Sequence, residues 1–272
     1  MCKTLRVSRS GFYAWHGREE SGRARNNRRL TILIRGAFDE SRGIYGAPRV
    51  HRTLRFAGEP CSLNRVARLM RLAELRSKTR RRFRVKTTDS NHDHPIAPDH
   101  VDRVFRADAA NRIWVSDMTY IATDEGWLYL ATTMDLFSRK IVGWSMAPTM
   151  HASVVIDALK MAIEQRRPEA GLIHHSDRGT QYASEAFRDV MARHRLVPSM
   201  SRKGNCYDNA AMESFFHTLK TELVKREHYR SHAQARASLF DYIERFYNRR
   251  RLHSTLGYKT PVDFERERTE AA

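Results

Sequence analysis

The sequence predicts an α/β protein in which a mixed sheet flanked by helices follows an all-helical region. Residues 45–72 carry a helix-turn-helix pattern, residues 113–146 contain three β-rich runs, and helices alternate with short strands after them. With 272 residues, of which 41% are hydrophobic, the chain can bury a core and has room for one large domain or two modest ones.

Positive charge is concentrated in the first third of the chain. The net charge is +18, and residues 1–90 hold 23 Lys or Arg against 7 Asp or Glu, whereas the other 182 residues hold 26 against 24. Clustered Lys and Arg bind polyanions by releasing phosphate counterions. The sequence therefore indicates a nucleic acid partner held mainly by the N-terminal part. A ribosome-associated or merely solubilising basic surface is the alternative.

Composition argues against several classes of protein. No apolar run approaches the roughly 20 residues of a membrane helix, and the start of the chain lacks the apolar segment of a secretory signal. We therefore expect a cytoplasmic protein without a membrane partner. Cys2, Cys61 and Cys206 are far apart and form no C-x-x-C pair, which argues against a disulfide framework and a zinc knuckle.

The helix-turn-helix pattern consists of two short predicted helices. The residues expected on the buried side of the first are Val50, Leu54 and Phe56. Ser62 is the predicted N-cap of the second. The residues expected on the apolar side of the second are Val66, Leu69, Met70 and Leu72. Arg65 and Arg68, on its other side, are residue types that contact bases and phosphates in a recognition helix. An ordinary helical hairpin with solvated arginines is the alternative.

A basic tether and a linker are predicted between the two halves of the chain. Residues 78–86 contain six Lys or Arg, and the polar stretch after them contains Pro95 and Pro98. His92, His94 and His100 also occur here. Because cysteine ligands are absent and prolines disfavour a fixed cage, we interpret these histidines as solvated loop residues.

The second half begins with three predicted strands, at residues 113–121, 127–134 and 140–146, which suggest an antiparallel meander. A helix at 152–166, a short strand at 171–176 and a helix at 184–194 follow. A strand at 196–201 then leads to a long helix from Asn209. This order predicts a mixed sheet flanked by helices.

Two aspartates of this predicted sheet are candidates for a functional site. Asp117 lies inside the first strand, where an ionised carboxylate is rare unless it is paired or bound to a cation. Asp177 stands at the carboxyl end of a short apolar strand, where open α/β sheets place ligand groups. Each has an ordinary alternative, a structural ion pair for Asp117 and a helix cap for Asp177.

Glu213, on the long helix, is the third candidate. The residues of that helix expected to face the core are Met212, Phe215, Phe216, Leu219 and Leu223. Another line of residues lies about a quarter turn away: Asn209, Glu213, His217 and Lys220. Glu213 is therefore expected at the edge of the core, although an exposed helix residue is the alternative. Three such acids can converge on two divalent cations, and carboxylate oxygens favour Mg²⁺ or Mn²⁺.

Several short motifs together are specific to one family. They are residues 7–15 (VSRSGFYAW), 65–70 (RVARLM), 114–120 (WVSDMTY), 175–182 (HSDRGTQY), 208–216 (DNAAMESFF) and 247–253 (YNRRRLH). With these motifs the chain resembles, over nearly its full length, the OrfB-type transposases of two-reading-frame bacterial insertion sequences. Their catalytic core is similar to that of retroviral integrases and has a ribonuclease H-like fold.

The resemblance implies roles for individual residues. Asp117, Asp177 and Glu213 match the family's D-D-E triad of catalytic, metal-binding acids, which implies two Mg²⁺ ions per active site, with Mn²⁺ as a substitute. Lys220 matches the basic residue that contacts terminal DNA in such cores. The expected reaction is attack by water at the element's end, after which the freed 3′-OH attacks another phosphodiester. No covalent protein intermediate is required, so Ser116, Ser176 and Tyr120 are interpreted as residues that pack or support the site and not as nucleophiles.

The resemblance also implies an organisation of the chain. We expect a helical DNA-binding region with the basic tether at residues 1–86, a linker at 87–107, a ribonuclease H-like core at 108–225 and a helical C-terminal extension at 226–272. DNA contacts are assigned to Arg65 and Arg68 in the first region. In the core, besides Lys220, they are assigned to Arg178 and Asn209.

Expected partners are terminal inverted repeats, target DNA, further copies of the chain on paired DNA ends, and the OrfA product of an upstream frame, separate or fused. The expected location is the bacterial cytoplasm, at the nucleoid. Two other functions remain open. A metal-dependent nuclease of similar fold would hydrolyse DNA without joining it, which the helix-turn-helix argues against. A non-enzymatic DNA-binding repressor is disfavoured by the intact acids.

Overall fold

The computed structural model describes residues 2, 4–78, 95–101, 107–201 and 209–270. The chain divides into two compact units, Met1–Lys78 and Thr79–Ala272. The predicted basic tether, apart from Lys78, and most of the predicted linker lie outside the described residues, as do Cys206, His92 and His94. Within the described ranges, no helix combines the length and apolar character needed to cross a membrane.

The N-terminal unit is helical. Its helices are α1 (Arg9–His16), α2 (Gly22–Glu40), α3 (Ala47–Phe56) and α4 (Leu63–Leu72). Ser62 caps α4 as predicted, since its hydroxyl accepts a hydrogen bond from the backbone N–H of Arg65. Helices α2, α3 and α4 share a small core, made of Leu30, Ile34, Val50, Leu54, Val66, Leu69 and Met70.

Two apolar residues of the helix-turn-helix are not buried. Phe56 is 64% exposed and Leu72 is 70% exposed, so the inward positions predicted for them are wrong. Phe56 follows the buried Leu54 by two residues and therefore points about 200° away from it around the helix. Leu72 lies about 110° from the middle of the buried stripe of α4. Each of these short helices buries only one narrow stripe.

The second unit contains a five-stranded mixed sheet with the order β3-β2-β1-β4-β5. The strands are β1 (Ile113–Thr123), β2 (Gly126–Asp135), β3 (Ile141–Ala147), β4 (Ile173–Ser176) and β5 (Val197–Met200). The first three form the predicted antiparallel meander. Strand β4 runs parallel to β1 and pairs only with Ile113–Val115 of it. Among the described strands, none therefore borders the later part of β1 on that side.

Helices cover this sheet. They are α5 (Ala152–Arg166), α6 (Thr180–Ala183), α7 (Glu185–Arg193), α8 (Ala210–Glu222), α9 (His232–Phe240) and α10 (Pro261–Glu270). Apolar residues of α5 and α7 form one core cluster with Trp114 of β1. Helix α5 lies so close to β3 that a Cβ at Gly143 would collide with the carbonyl oxygen of Ala158. The one-turn helix α6 was not predicted from the sequence.

A buried ion pair fastens the C-terminal segment to α8. Arg251 Nη2 lies 2.7 Å from Glu222 Oε1, and Arg251 Nε donates to Glu222 Oε2 at 2.9 Å. The Tyr242 hydroxyl donates to the same Oε2 atom at 2.7 Å. All three side chains are buried. The helix that carries Glu213 is thus held from its other end by residues of the C-terminal segment.

Arg251→Ala is expected to lower the free energy of unfolding by about 3–5 kcal/mol, because the Glu222 carboxylate would stay buried without this cation. Urea denaturation followed by circular dichroism measures the change. Arg266→Ala is the control, since it removes an exposed ion pair with Asp263 and should cost less than about 1 kcal/mol. Equal losses in the two variants would contradict the role given to Arg251.

Candidate active site

Asp117 lies within β1, and Asp177 directly follows the neighbouring parallel strand β4. The ladder between β1 and β4 pairs Val115 with His175, and each aspartate lies two residues further along its own segment. Side chains alternate between the two faces of a sheet, and neighbouring strands are about 4.8 Å apart. The two carboxyl groups therefore extend side by side from the same face.

The backbone holds one oxygen of each carboxylate. Asp117 Oδ1 accepts a hydrogen bond from the N–H of Met118 at 2.7 Å. Asp177 Oδ1 accepts one from the N–H of Gly179 at 2.9 Å. A Cβ at Gly179 would lie 3.1 Å from that same Oδ1 atom, which is tighter than an ordinary contact. Glycine therefore suits the close turn that follows Asp177.

Glu213 reaches the site from the start of α8. The side chains of Met212, Phe215 and Leu219 are buried, which fixes the rotation of the helix, and Glu213 lies on its exposed side. Asn209, at the N-cap position, donates from Nδ2 to the carbonyl oxygen of Ser116 at 3.2 Å. Because Ser116 directly precedes Asp117, this bond sets the beginning of α8 beside the first aspartate.

The three acids act on one another electrostatically. The pKa of Asp117 is raised well above its usual value, first by burial, then by the negative charge of Asp177 and, more weakly, by that of Glu213. The N–H of Met118 and the ammonium of Lys220 act in the opposite direction. Burial also raises the pKa of Glu213. Among the described residues, no three His, Cys, Asp or Glu side chains are placed as a ready-made metal cage. The three carboxyl groups are close enough to interact electrostatically, but they do not surround a single position.

Three buried polar atoms near the acids lack a hydrogen-bond partner among the described residues: Thr132 Oγ1, Tyr182 OH and Asn209 Oδ1. Thr132 lies directly opposite Asp117 on β2. Burial raises the pKa of Tyr182, and the charges of Asp117 and Asp177 raise it further. Buried polar atoms usually have a partner. These three polar atoms, together with the carboxylate oxygens, fit a hydrated hard cation such as Mg²⁺.

Sequence reasoning did not identify Thr132 or Tyr182 as site residues. The signal for Thr132 is a pair of threonines, Thr132 and Thr133, within an otherwise apolar strand. Tyr182 ends the motif of residues 175–182, which carries part of the family resemblance. Asp117, which lies opposite Thr132 and acts electrostatically on Tyr182, comes from another strand, so no local pattern reveals that the two residues border the site.

Lys220 and Arg178 both lie near the acids. The Lys220 ammonium is 4.8 Å from the centroid of the Tyr120 ring. Burial and the neighbouring Lys225 lower the pKa of Lys220, whereas Asp117 raises it. Arg178, next to Asp177 in the chain, donates from Nε to the carbonyl oxygen of Ser201 at 2.6 Å. Lys220 is positioned to offset part of the negative charge of Asp117, whereas Arg178 is bonded to the backbone that follows β5.

Asn209 has a different position from the one expected for a DNA contact. It is 6% exposed, and its amide nitrogen is used by the carbonyl oxygen of Ser116. Burial leaves little of its surface for a phosphate or a base. The structure therefore favours a positioning role for Asn209 over the DNA contact that the sequence predicts.

The two arginines assigned to the recognition helix are also placed differently from each other. Arg65 donates from Nε and Nη2 to Asn27 Oδ1 at 3.0 and 2.7 Å, and from Nη2 to Asn26 Oδ1 at 2.7 Å. It therefore joins α4 to α2. Arg68 is exposed on the same helix. Of the two, Arg68 is the side chain more available to a phosphate.

Ser116 and His174 form a pair that resembles a nucleophile and its base but is buried. Ser116 Oγ is 2.8 Å from His174 Nε2 and 2.8 Å from Thr133 Oγ1. Burial and the neighbouring His175 lower the pKa of His174 to about 3, which keeps the ring neutral. By strand alternation Ser116 points to the face opposite Asp117. These positions agree with the interpretation of Ser116 as a packing residue.

Models of known families match three parts of the chain. A helix-turn-helix-like domain matches residues 25–83, and two integrase core domain models match residues 107–206 and 194–261. Among solved structures, the simian T-cell lymphotropic virus intasome in complex with PP2A regulatory subunit B56 gamma matches with a TM-score of 0.51 at 20% identity, over 64% of this chain and 60% of that chain. The fold is ribonuclease H-like, with an integrase-type core.

Curated relatives match over nearly the whole chain. An uncharacterized 31 kDa protein of insertion element IS600 from Shigella sonnei is 44% identical over 264 residues, which cover 97% of each chain. Transposase InsF for insertion sequence IS3A of Escherichia coli (strain K12) is 43% identical over 267 residues, which cover 97% of this chain and 92% of InsF. The chain therefore belongs to the IS3 family of transposases, which act in DNA transposition and combine a helix-turn-helix-like domain with an integrase core.

Proposed function

We propose that Asp117, Asp177 and Glu213 hold two divalent cations, Mg²⁺ with Mn²⁺ as a substitute, for cleavage at the ends of an insertion sequence and for strand transfer. Membership of the family makes the chain a polynucleotidyl transferase. The observation that carries the metal dependence is the pair of aspartates side by side, Asp117 within β1 and Asp177 directly after the parallel strand β4. Like charges this close are unfavourable unless a proton or a cation offsets them.

The cations, when bound, activate the attacking oxygen and stabilise the leaving one. The protein supplies orientation. Backbone N–H groups fix one oxygen of Asp117 and one of Asp177, so each carboxylate has a set direction before DNA arrives. Glu213 stands on the exposed side of α8, where a DNA phosphate can approach it. Lys220 brings positive charge to the same helix.

DNA binding is divided between the two units in this proposal. Residues 1–86 hold the terminal inverted repeat, residues 87–107 link the units, residues 108–225 form the catalytic core, and residues 226–272 brace α8. Several copies assemble on paired ends, together with the OrfA product or as a fusion with it, at the bacterial nucleoid. The charge distribution supports DNA binding by the N-terminal region, because the excess of Lys and Arg lies within residues 1–90.

Asp177→Asn is expected to abolish both cleavage and joining and to weaken Mg²⁺ binding, because the side chain keeps its shape but loses a negative charge. Binding of terminal-repeat DNA should survive, and without metal it should tighten because one repulsive charge is gone. The measurements are a gel shift and a Mg²⁺-dependent strand-transfer assay on labelled terminal-repeat DNA. Asp157→Asn, on the exposed part of α5 away from the acids, is the control and should join normally.

The same assay separates the alternatives. Cleavage without joining by the parent protein would identify a nuclease, and binding without cleavage would identify a repressor. Joining by Asp177→Asn at nearly the parent rate would contradict the metal mechanism.

Arg68→Ala is expected to weaken binding of terminal-repeat DNA and to reduce the slope of log affinity against log salt by about one, because one phosphate contact is lost. Arg65→Ala should weaken binding as well, but it also breaks the hydrogen bonds between α4 and α2. Arg35→Ala is the control, since Arg35 is equally exposed but lies on α2. If Arg35→Ala and Arg68→Ala had the same effect, α4 would not be the recognition helix.

Lys220→Ala is expected to weaken binding of the terminal DNA while leaving Mg²⁺ binding in place, because it removes a cation beside the acids and no carboxylate. Gel shifts over a range of salt and calorimetric Mg²⁺ titration measure the two effects. Lys160→Ala, on the exposed side of α5, should change neither. Loss of Mg²⁺ binding with unchanged DNA affinity would reverse the role assigned to Lys220.

A further inference from the structure

The β1–β2 hairpin presents an exposed aromatic pair beyond the acids. The rings of Tyr120 and Trp127 are 4.7 Å apart between centroids and lie edge to face at 79°. Trp127 is 51% exposed, although an indole is among the most costly side chains to leave in water. Tyr120 supports it from behind, so the indole is held at a defined position on the hairpin.

This aromatic pair is connected to the active site through α8. Strand β4 stops pairing with β1 at Val115, and the N-cap residue Asn209 contacts Ser116 just beyond that point. Further along the helix, the Lys220 ammonium lies over the Tyr120 ring at 4.8 Å. Helix α8 therefore follows the edge of β1 from Ser116 to Tyr120. DNA that reaches Glu213 and Lys220 reaches the hairpin next.

The distance between Asp117 and the aromatic pair matches the spacing of nucleotides in DNA. Tyr120 follows Asp117 by three residues, which is about 10 Å along a β-strand. Three base-pair steps of a duplex also cover about 10 Å. Strand alternation places Asp117 and Tyr120 on opposite faces, and Lys220 lies between them at the strand edge. A nucleotide on the aromatic pair would thus be about three positions from the phosphate at the acids.

The charges near the hairpin also favour a nucleic acid. Lys220 provides the cation: its ammonium lies over the Tyr120 ring and is also attracted by the carboxylate of Asp117. The two acids of the hairpin turn are engaged elsewhere. Asp124 Oδ2 is 3.1 Å from His228 Nε2, and Glu125 Oε2 accepts from the backbone N–H of His232 at 2.7 Å. Both carboxylates are thus held by the segment that carries His228 and His232.

We propose that Trp127, supported by Tyr120 and flanked by Lys220, stacks on a nucleobase that has left the duplex within about three nucleotides of the phosphate being cut. The site accepts any base, because every base presents a flat π surface to an indole. It rests on the proposed function, since the acids define where the phosphate lies. Trp127 would hold the strand end open while Lys220 neutralises the adjacent backbone.

The test is a double-mutant cycle between the protein and its DNA. Full-length parent protein, Trp127→Ala and Trp127→Phe are compared on terminal-repeat DNA with every base present, and on DNA with an abasic nucleotide at each of the three positions flanking the cut on both sides. Affinity is measured with Mg²⁺ replaced by Ca²⁺, and joining is measured with Mg²⁺. Phe240→Ala is the matched control, because Phe240 is 44% exposed and its ring also lies edge to face with another aromatic, Trp144.

We expect Trp127→Ala to weaken DNA binding about tenfold, equivalent to about 1.4 kcal/mol, and Trp127→Phe to retain most of the affinity. At one abasic position, the losses from the missing base and the missing indole should not add. For Phe240→Ala they should add at every position. Additive losses for Trp127→Ala at all positions would overturn the proposal, as would equal losses for Trp127→Ala and Phe240→Ala. Because affinity is measured without chemistry, failure of the metal mechanism would appear separately, as absent joining with the cycle intact.

Discussion

The repulsion between the carboxylates of Asp117, within β1, and Asp177, just after β4, is the constraint around which the catalytic unit is built. The β1–β4 register sets Asp117 beside Asp177, and Glu213 adds a third negative charge from α8. A folded protein normally avoids such a cluster or pairs it with cations. Here Lys220 offsets only part of the charge. In the proposed function a divalent cation supplies the rest, and the same cation serves phosphoryl transfer.

The rest of the unit holds the three elements that carry the acids, β1, β4 and α8, in fixed positions relative to one another. Asn209 bonds the start of α8 to β1, and the buried pair of Glu222 and Arg251 bonds its end to the C-terminal segment. A second cluster, in which Arg166 contacts Glu265 at 2.8 Å and Asp135 at 3.2 Å, joins α10 to the sheet and α5. Arg251 and Tyr242 of the C-terminal segment therefore hold the helix that carries Glu213, and α10 holds the sheet. The core can then present its acids on a rigid frame.

Patterns local in sequence predicted most of the fold, and contacts between distant residues account for much of what was missed. The meander and α5 were predicted within a few residues because alternation and helical periodicity are local signals. The fold class is confirmed. The exposure of Phe56 and Leu72 follows from helical geometry, because each side chain points more than 100° away from the buried stripe of its helix. The burial of Asn209 and the bonds from Arg65 to α2 depend on partners far along the chain. At the site, residue types indicated the acids, whereas Thr132 and Tyr182 became visible only through the register and packing of the sheet.

A crystal of the full chain soaked with Mn²⁺ and measured at the manganese absorption edge tests the central claim most directly. The account predicts anomalous density between the carboxylates of Asp117 and Asp177, at about 2.0–2.2 Å from their oxygens, with Glu213 turned toward it. The same soak of Asp177→Asn should lose that density. Manganese density elsewhere in the molecule, with both aspartates free of metal, would contradict the claim that these acids exist to hold the cation.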